Sequence, residues 1–312
     1  MPSYSGVWSL SQQFQAVGQG LWPSTETFAI FALGQAPTAS TTRNKYTYSG
    51  DVVASATAAT AASQQGSAAG NSTVGIFALG LTSIRVTTRD KYTYSGCVVS
   101  AGSAATVASS NNSAAGNSTI GIFALGFTTT AVTTRNKYTY SGDVVSAGGA
   151  ATAASYNGSA AGNSTVGIFA LGFAGGASTT RDKYTYSGCV VSAGTAATVA
   201  TSRGSAAGNS TVGIFALGRN ASCFGVTTRN KYTYSGDVVS AGSVATAPGA
   251  EGSAAGNSTV GIFALGRVDG VGVVTTRNKY TYVGCVVSAG GAATVASACG
   301  SAASNGTTGV NM

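Results

Sequence analysis

Residues 67–106 read SAAGNSTVGIFALGLTSIRVTTRDKYTYSGCVVSAGSAAT. In STVGIFALG, Phe77 and Leu79 fall on one face and Ile76 and Ala78 on the other, with a glycine at each end, the pattern of a strand buried on both sides. In TTRDKYTYSG, Arg89, Lys91 and Thr93 alternate with Asp90, Tyr92 and Tyr94, a period-two signal in strand-favouring residues. Upstream, SAAGN is a small-residue run that ends in a Gly-Asn turn. Downstream, Ser95-Gly96 turns the chain into CVVSAGSAATVAS, a weaker strand with a glycine inside it. Gly, Val and Thr interrupt every Ala-rich run, so no helix is expected. The stretch therefore predicts four short antiparallel strands joined by turns and two longer loops.

The same text is written six times. Its phenylalanine falls at Phe31, Phe77, Phe123, Phe169, Phe215 and Phe263, in steps of 46, 46, 46, 46 and 48 residues. A fixed period of this size means a solenoid, a propeller or an array, in which each unit buries its faces against its neighbours. Four strands in one period is the size of a propeller blade. At the start, Tyr4-Ser5-Gly6 aligns with the YSG that precedes the fourth strand in five copies and the YVG in the sixth. At the end, SAASNGTTGVNM aligns with SAAGNSTVGIF, a first and second strand. Joined, the two ends predict a seventh, composite blade that lacks only its third strand. Its missing strand would leave an edge open to strand addition by another chain. The expectation is an all-β, single-domain propeller over 1–312, seven-bladed, with 1–24 as a divergent closing strand, six repeats, and 300–312 as the C-terminal closing strands. Six blades or an open β-solenoid are the alternatives.

The order of Gly-Asn turn, hydrophobic strand ending in glycine (GIFALG), polar-aromatic strand (NKYTYSGD) and loose fourth strand resembles the kelch type of propeller repeat. The copies keep one of that family's two glycines and lack its tryptophan. The resemblance implies a propeller and no particular ligand.

Of 312 residues 45 are glycine and only 8% are charged, with a formal charge of +8 and no histidine, so the core must be built from closely packed small side chains. The five cysteines are odd in number and form no C-x-x-C pair. Cys97, Cys189 and Cys285 replace the aspartates Asp51, Asp143 and Asp237 in alternate copies, too far apart to bridge, and read as free thiols. Neither the spacing nor the histidine count suits zinc. No metal and no cofactor is expected. The commonest general base is missing and the carboxylates are spread rather than paired, so the chain does not read as an enzyme. No apolar run is long enough to span a bilayer, and MPSYSGVWSLSQQFQ has no signal-peptide pattern.

Twelve of the 16 cations sit in one R-[N/D]-K triplet per copy. Such a ring could attract phosphate or acidic sugar. The stronger reading is that these residues cover the blade flanks and tie to neighbouring carbonyls and acids. Where the triplet holds Asn the following turn holds Asp, and where it holds Asp the turn holds Cys. The last copy, with Asn278 and Cys285, has neither acid. The paired tyrosines are expected between blades, and the N-S-T sites to form hairpin turns without glycan. No nucleic-acid contact and no membrane insertion are expected.

The opening segment departs from the repeat. It carries Trp8 and Trp22 and the glutamines Gln12, Gln13, Gln15 and Gln19. Its pattern GVW-L--QFQA-G-G-WP resembles the opening of virion-associated proteins of tailed bacteriophages. That resemblance implies a virion structural protein, tail or fibre associated, made in the host cytoplasm, with Trp8, Gln12, Gln13, Phe14 and Trp22 as an attachment segment. Its implied partners are other virion proteins and a host-surface glycan or receptor; homo-oligomers are compatible with it. The alternative is a free, extracellular carbohydrate-binding propeller of lectin type. A repeat lectin should repeat its contact residues, whereas recognition of a single partner should use loops that differ. The residues found once are Arg85, Tyr156, Arg203, Arg219, Phe224 and Arg267, and these are the candidate binding positions.

Overall fold

The computed structural model describes residues 26–216 and 218–306. The repeated text forms six four-stranded antiparallel sheets, the blades of a β-propeller. Blade 2 shows the plan with strands Ser67–Gly70, Val74–Ala78, Arg89–Thr93 and Val98–Gly102, each paired to the next. Two small sheets, of two and three strands, sit in the loops of the last blades. The innermost strands, all Ala and Gly between polar ends, pack on one another in a closed cycle, from Ser67–Gly70 around to Ser301–Ser304 and back. Small side chains are required there because six backbones converge on one axis.

Among the described residues, the seventh blade expected from the chain ends does not form. Ser301–Ser304 instead pairs with Phe28–Ala32 and becomes the inner strand of blade 1, with Ala302 opposite Phe31 just as Ala68 lies opposite Phe77. The first copy begins at its second strand and lacks an inner one, and the C-terminal copy supplies it. With all six blades holding four strands of this chain, the open edge expected for strand addition does not arise among the described residues. Residues 1–24, including Tyr4 and the proposed closing strand, and Val310 lie outside the described residues.

Register explains how blades interlock. Arg89, Lys91 and Thr93 share a face with Ala78, Ile76 and Val74, while Tyr92 and Asp90 share the other with Gly75 and Phe77. The first face of each blade meets the second face of the next. At the meeting lies a wholly buried arginine: Arg89 stacks on Phe123 at 4.6 Å, and its Nη2 donates to Asn136 Oδ1 at 3.2 Å. The stack recurs six times and ends with Arg277 over Phe31 at 4.5 Å. Desolvated cation–π contacts of this kind contribute roughly 2 kcal/mol each. The paired tyrosines are buried in the same interfaces, with Tyr46 and Tyr92 at 0% exposure. In the N-S-T turns, Asn71 Oδ1 accepts from the Thr73 and Val74 amides while its Nδ2 donates to the Ser118 carbonyl of the next blade.

The acids follow an alternating rule. Arg43–Asp90 and Arg135–Asp182 are buried ion pairs, each at 2.8 Å. The interfaces between them, and the one that closes the ring, use Lys91–Asp143, Lys183–Asp237 and Lys279–Asp51 instead, at 2.8, 2.8 and 2.9 Å. One carboxylate therefore serves each interface except that between blades 5 and 6, where Arg229 meets Asn278 and Lys231 meets Cys285.

Candidate recognition face

Each outer strand returns to the axis through a short loop, and the last turn of that loop is left-handed. Gln65, Asn111, Asn157, Arg203, Glu251 and Cys299 all have φ between 55° and 61°. The amide of each donates to the carbonyl of the one before: Asn111 to Gln65, Asn157 to Asn111, Arg203 to Asn157, Glu251 to Arg203 and Cys299 to Glu251. Gln65 then donates to Cys299 at 2.8 Å, so the six bonds form an unbroken ring around the axis. The next residue is glycine in five of the six, and a Cβ on Gly66 would lie 2.0 Å from the Ala78 carbonyl oxygen. The backbone is thus nearly the same at six points, while a glutamine, two asparagines, an arginine, a glutamate and a cysteine crown it. They surround an axial cavity of ≈ 70 Å³, room for several waters.

The loops between second and third strands pair with these returning loops, through Gln64–Leu81, Ser110–Phe127 and Tyr156–Phe173 bridges, and so open on the same face. All six candidate binding residues lie in these two sets of loops, five half-buried and Phe224 66% exposed. They divide into two sectors.

Over blades 5 and 6 the sector is charged. Glu251 accepts from Arg203 Nη1 and from Arg267 Nε, the latter at 3.2 Å. Asp269 lies 3.9 Å from Arg219 and accepts from the Gly225 amide at 2.5 Å. Burial pushes the Glu251 carboxyl up, but Arg203, Arg267 and Arg219 outweigh it and hold the group below the usual glutamate range. Burial and the Glu251 charge push the Cys299 thiol up to about 12. The interface that lacks a carboxylate on its flank is therefore bridged by two on its face.

Over blades 2 to 4 the sector is aromatic. Arg85 donates from Nε to Ser110 Oγ at 3.2 Å and covers the Phe127 ring at 4.7 Å. Phe127, Tyr156 and Phe173 follow in a row with centroids 5.3 and 5.2 Å apart. Ile84 stands 69% exposed on the blade 2 loop, while Phe224 and Val271 stand 66% and 73% exposed on the equivalent loops of blades 5 and 6.

Sequence reasoning found the variable loops and missed Gln65, Asn111, Asn157, Glu251, Cys299 and Asp269. The first five shared one available signal, their position two residues before the SAA of each inner strand. The triplet arginines are buried in the interfaces and do not form an exposed ring of charge. The attachment residues Trp8, Gln12, Gln13, Phe14 and Trp22 lie outside the described residues. Among the described residues no group of three His, Cys, Asp or Glu could hold a metal. Comparison with protein-family models gives no match, and neither does comparison with curated proteins.

Proposed function

We propose that this chain is a non-catalytic structural and recognition protein of a bacteriophage particle, tail or fibre associated, whose variable face attaches to one partner on the particle or the host surface. One observation carries the recognition half of this reading. Residues that repeat are consumed in the interfaces, while the singular residues Arg85, Tyr156, Arg203, Arg219, Phe224 and Arg267 gather on one face. A surface without internal symmetry suits one partner in one orientation, because each loop offers different chemistry. The phage half rests on the opening segment around Trp8 and Trp22. A lectin with six equivalent sugar sites would need the face residues repeated, and they are not.

Quantitative mass spectrometry of purified particles tests the proposal. The chain at fixed stoichiometry in washed virions supports it, and absence from virions rejects it. Glycan-array binding with several equivalent sites per chain would favour the lectin reading in its place.

A further inference from the structure

Three blades carry cysteine where the other three carry aspartate, and the backbone does not distinguish them. Cys97, Cys189 and Cys285 have φ of 54°, 55° and 53°, against 55°, 53° and 53° for Asp51, Asp143 and Asp237. Each aspartate is held by two donors. Tyr138 donates to Asp143 Oδ1 at 2.7 Å while Lys91 of the preceding blade donates to Oδ2 at 2.8 Å. Tyr232 and Lys183 hold Asp237 in the same way, at 2.7 and 2.8 Å, and Tyr46 and Lys279 hold Asp51 at 2.6 and 2.9 Å.

At the cysteine blades the donors persist and the acceptor oxygens do not. Tyr92 and Tyr280 are fully buried, and their hydroxyls have no hydrogen-bond partner among the described residues. The Tyr184 hydroxyl accepts from the Gly149 amide at 3.3 Å but donates to no oxygen among the described residues. Burial and the adjoining thiol both push these three phenols up, so they stay protonated donors. Lys231 reaches Cys285 Sγ at 3.9 Å. Lys137 holds the equivalent place before Cys189, and Lys45 that before Cys97, although Lys45 also pairs with Glu26. A buried hydroxyl without an acceptor is costly, and two donors converging on one point favour an anion there. The three cysteines are partly exposed.

We propose that Cys97, Cys189 and Cys285 are oxidation sites at which peroxide converts the thiol to a sulfinate, which takes the place the aspartate carboxylate holds in the alternate blades. Cysteine sulfinate has the connectivity of aspartate, a Cβ bearing one atom with two oxygens: one oxygen faces the tyrosine, the other the lysine. In the first step the thiolate sulfur attacks a peroxide oxygen. The O–O bond breaks, hydroxide leaves and takes up a proton as water, and the sulfur, two electrons poorer, becomes a sulfenic acid. A second peroxide repeats the exchange and gives the sulfinic acid and a second water; the acid then ionises to solvent. In sum, one thiol and two peroxides give one sulfinic acid and two waters. Cys223 is exposed and lacks the lysine–tyrosine pair, so its oxidation should bring no gain. Cys299, whose thiol is pushed up to about 12, should react slowly because the thiolate is the nucleophile.

The test is graded hydrogen peroxide treatment of the full chain, with peptide mapping and thermal unfolding at each stage. The expected result is two oxygens on each of Cys97, Cys189 and Cys285 and a Tm that rises with them by about 2–4 °C in all. Untreated C97D/C189D/C285D should reproduce the rise, and C97S/C189S/C285S should lose the response to peroxide. Sulfinate at the three positions with Tm unchanged or lowered would overturn the proposal. So would peroxide consumed at Cys223 while the three thiols stay unmodified.

Discussion

The guanidinium of Arg277, in the last blade, lies 4.5 Å from the ring centroid of Phe31, in the first. Its Nη2 also donates to Asn44 Oδ1 at 3.3 Å. This is the same contact that Arg135 makes with Phe169 at 4.6 Å in the middle of the chain. Closure is therefore made by an ordinary blade interface and needs no special device. It follows that Arg277→Ala should cost about 3 kcal/mol, much as an interior arginine does, through lost stacking on Phe31, a lost buried hydrogen bond to Asn44 and the cavity left behind. Urea unfolding of R277A beside R181A measures this. In an open array the terminal arginine would cost almost nothing.

Asp90 and Asn136 occupy equivalent positions and both accept from an arginine of the preceding blade. Asp90 also accepts from Thr60 Oγ1 at 2.6 Å, whereas Asn136 Nδ2 donates to Thr106 Oγ1 at 2.8 Å. The threonine hydroxyl serves either partner by rotation. Asp90→Asn should thus change stability by less than about 1 kcal/mol. Asp90→Ala leaves the buried Arg43 without its carboxylate, with only the Ala58 carbonyl 3.4 Å from Nη1 as an acceptor, and should cost about 3–5 kcal/mol. Equal losses for the two substitutions in denaturant unfolding would contradict this account of the interface.

Four carboxyls are held below their ordinary range in the folded chain. Lys45 lowers Glu26, and burial opposes it. Burial pushes Asp143 and Asp237 up, but lysine and tyrosine hydrogen bonds outweigh it. Arginines do the same for Glu251. A group with a depressed folded pKa adds stability that is complete above the unfolded value and is lost as pH falls through the folded one. Stability should therefore be flat from neutrality to about pH 5 and fall below about pH 4. Thermal unfolding across this range checks it, and D143N/D237N should flatten the acid limb.

Around the axis, Gly75 sits where an added Cβ would lie 2.8 Å from the Tyr94 hydroxyl and 3.1 Å from Ala303 Cβ. Gly75→Ala should cost about 1–3 kcal/mol by overpacking. Gly176→Ala, in an open loop with nothing within 4 Å, should stay within about 0.5 kcal/mol of the parent. A comparison of unfolding midpoints for the two variants decides whether the axis is packed as described.

Most of this architecture was legible in the text of the chain. Period-two alternation in RDKYT and the glycine-bounded VGIFA run placed the strands, and the period set the blade. The small residues of SAAG announced a crowded axis. Blade number was misjudged because Tyr4-Ser5-Gly6 matched a strand boundary, while the first copy's missing inner strand went unmatched to Ser301–Ser304. A subtler signal pointed to an even ring. The turn residue alternates between Asp and Cys through all six copies, although the triplet does not in the sixth, and such alternation closes without a fault only when the blade number is even. The axial ring was invisible for a different reason. Its six residues share a backbone conformation and a place two residues before the SAA of each inner strand, but span amide, arginine, glutamate and thiol side chains, so residue type alone does not reveal it. The interblade role of the triplet arginines was visible only in part, because a charged residue on a strand face reads as solvated until the neighbouring blade is in place.

The closed six-blade ring is tested most directly by zero-length carbodiimide cross-linking of the monomer, followed by peptide mapping. Lys279 Nζ lies 2.9 Å from Asp51 Oδ2, and both side chains are partly exposed. Lys91–Asp143 and Lys183–Asp237, each at 2.8 Å, provide internal references within the chain. An amide bond between Lys279 and Asp51 within one chain, formed as readily as the two references, is the predicted result. Reference bonds without the Lys279–Asp51 bond would show that the last blade does not meet the first.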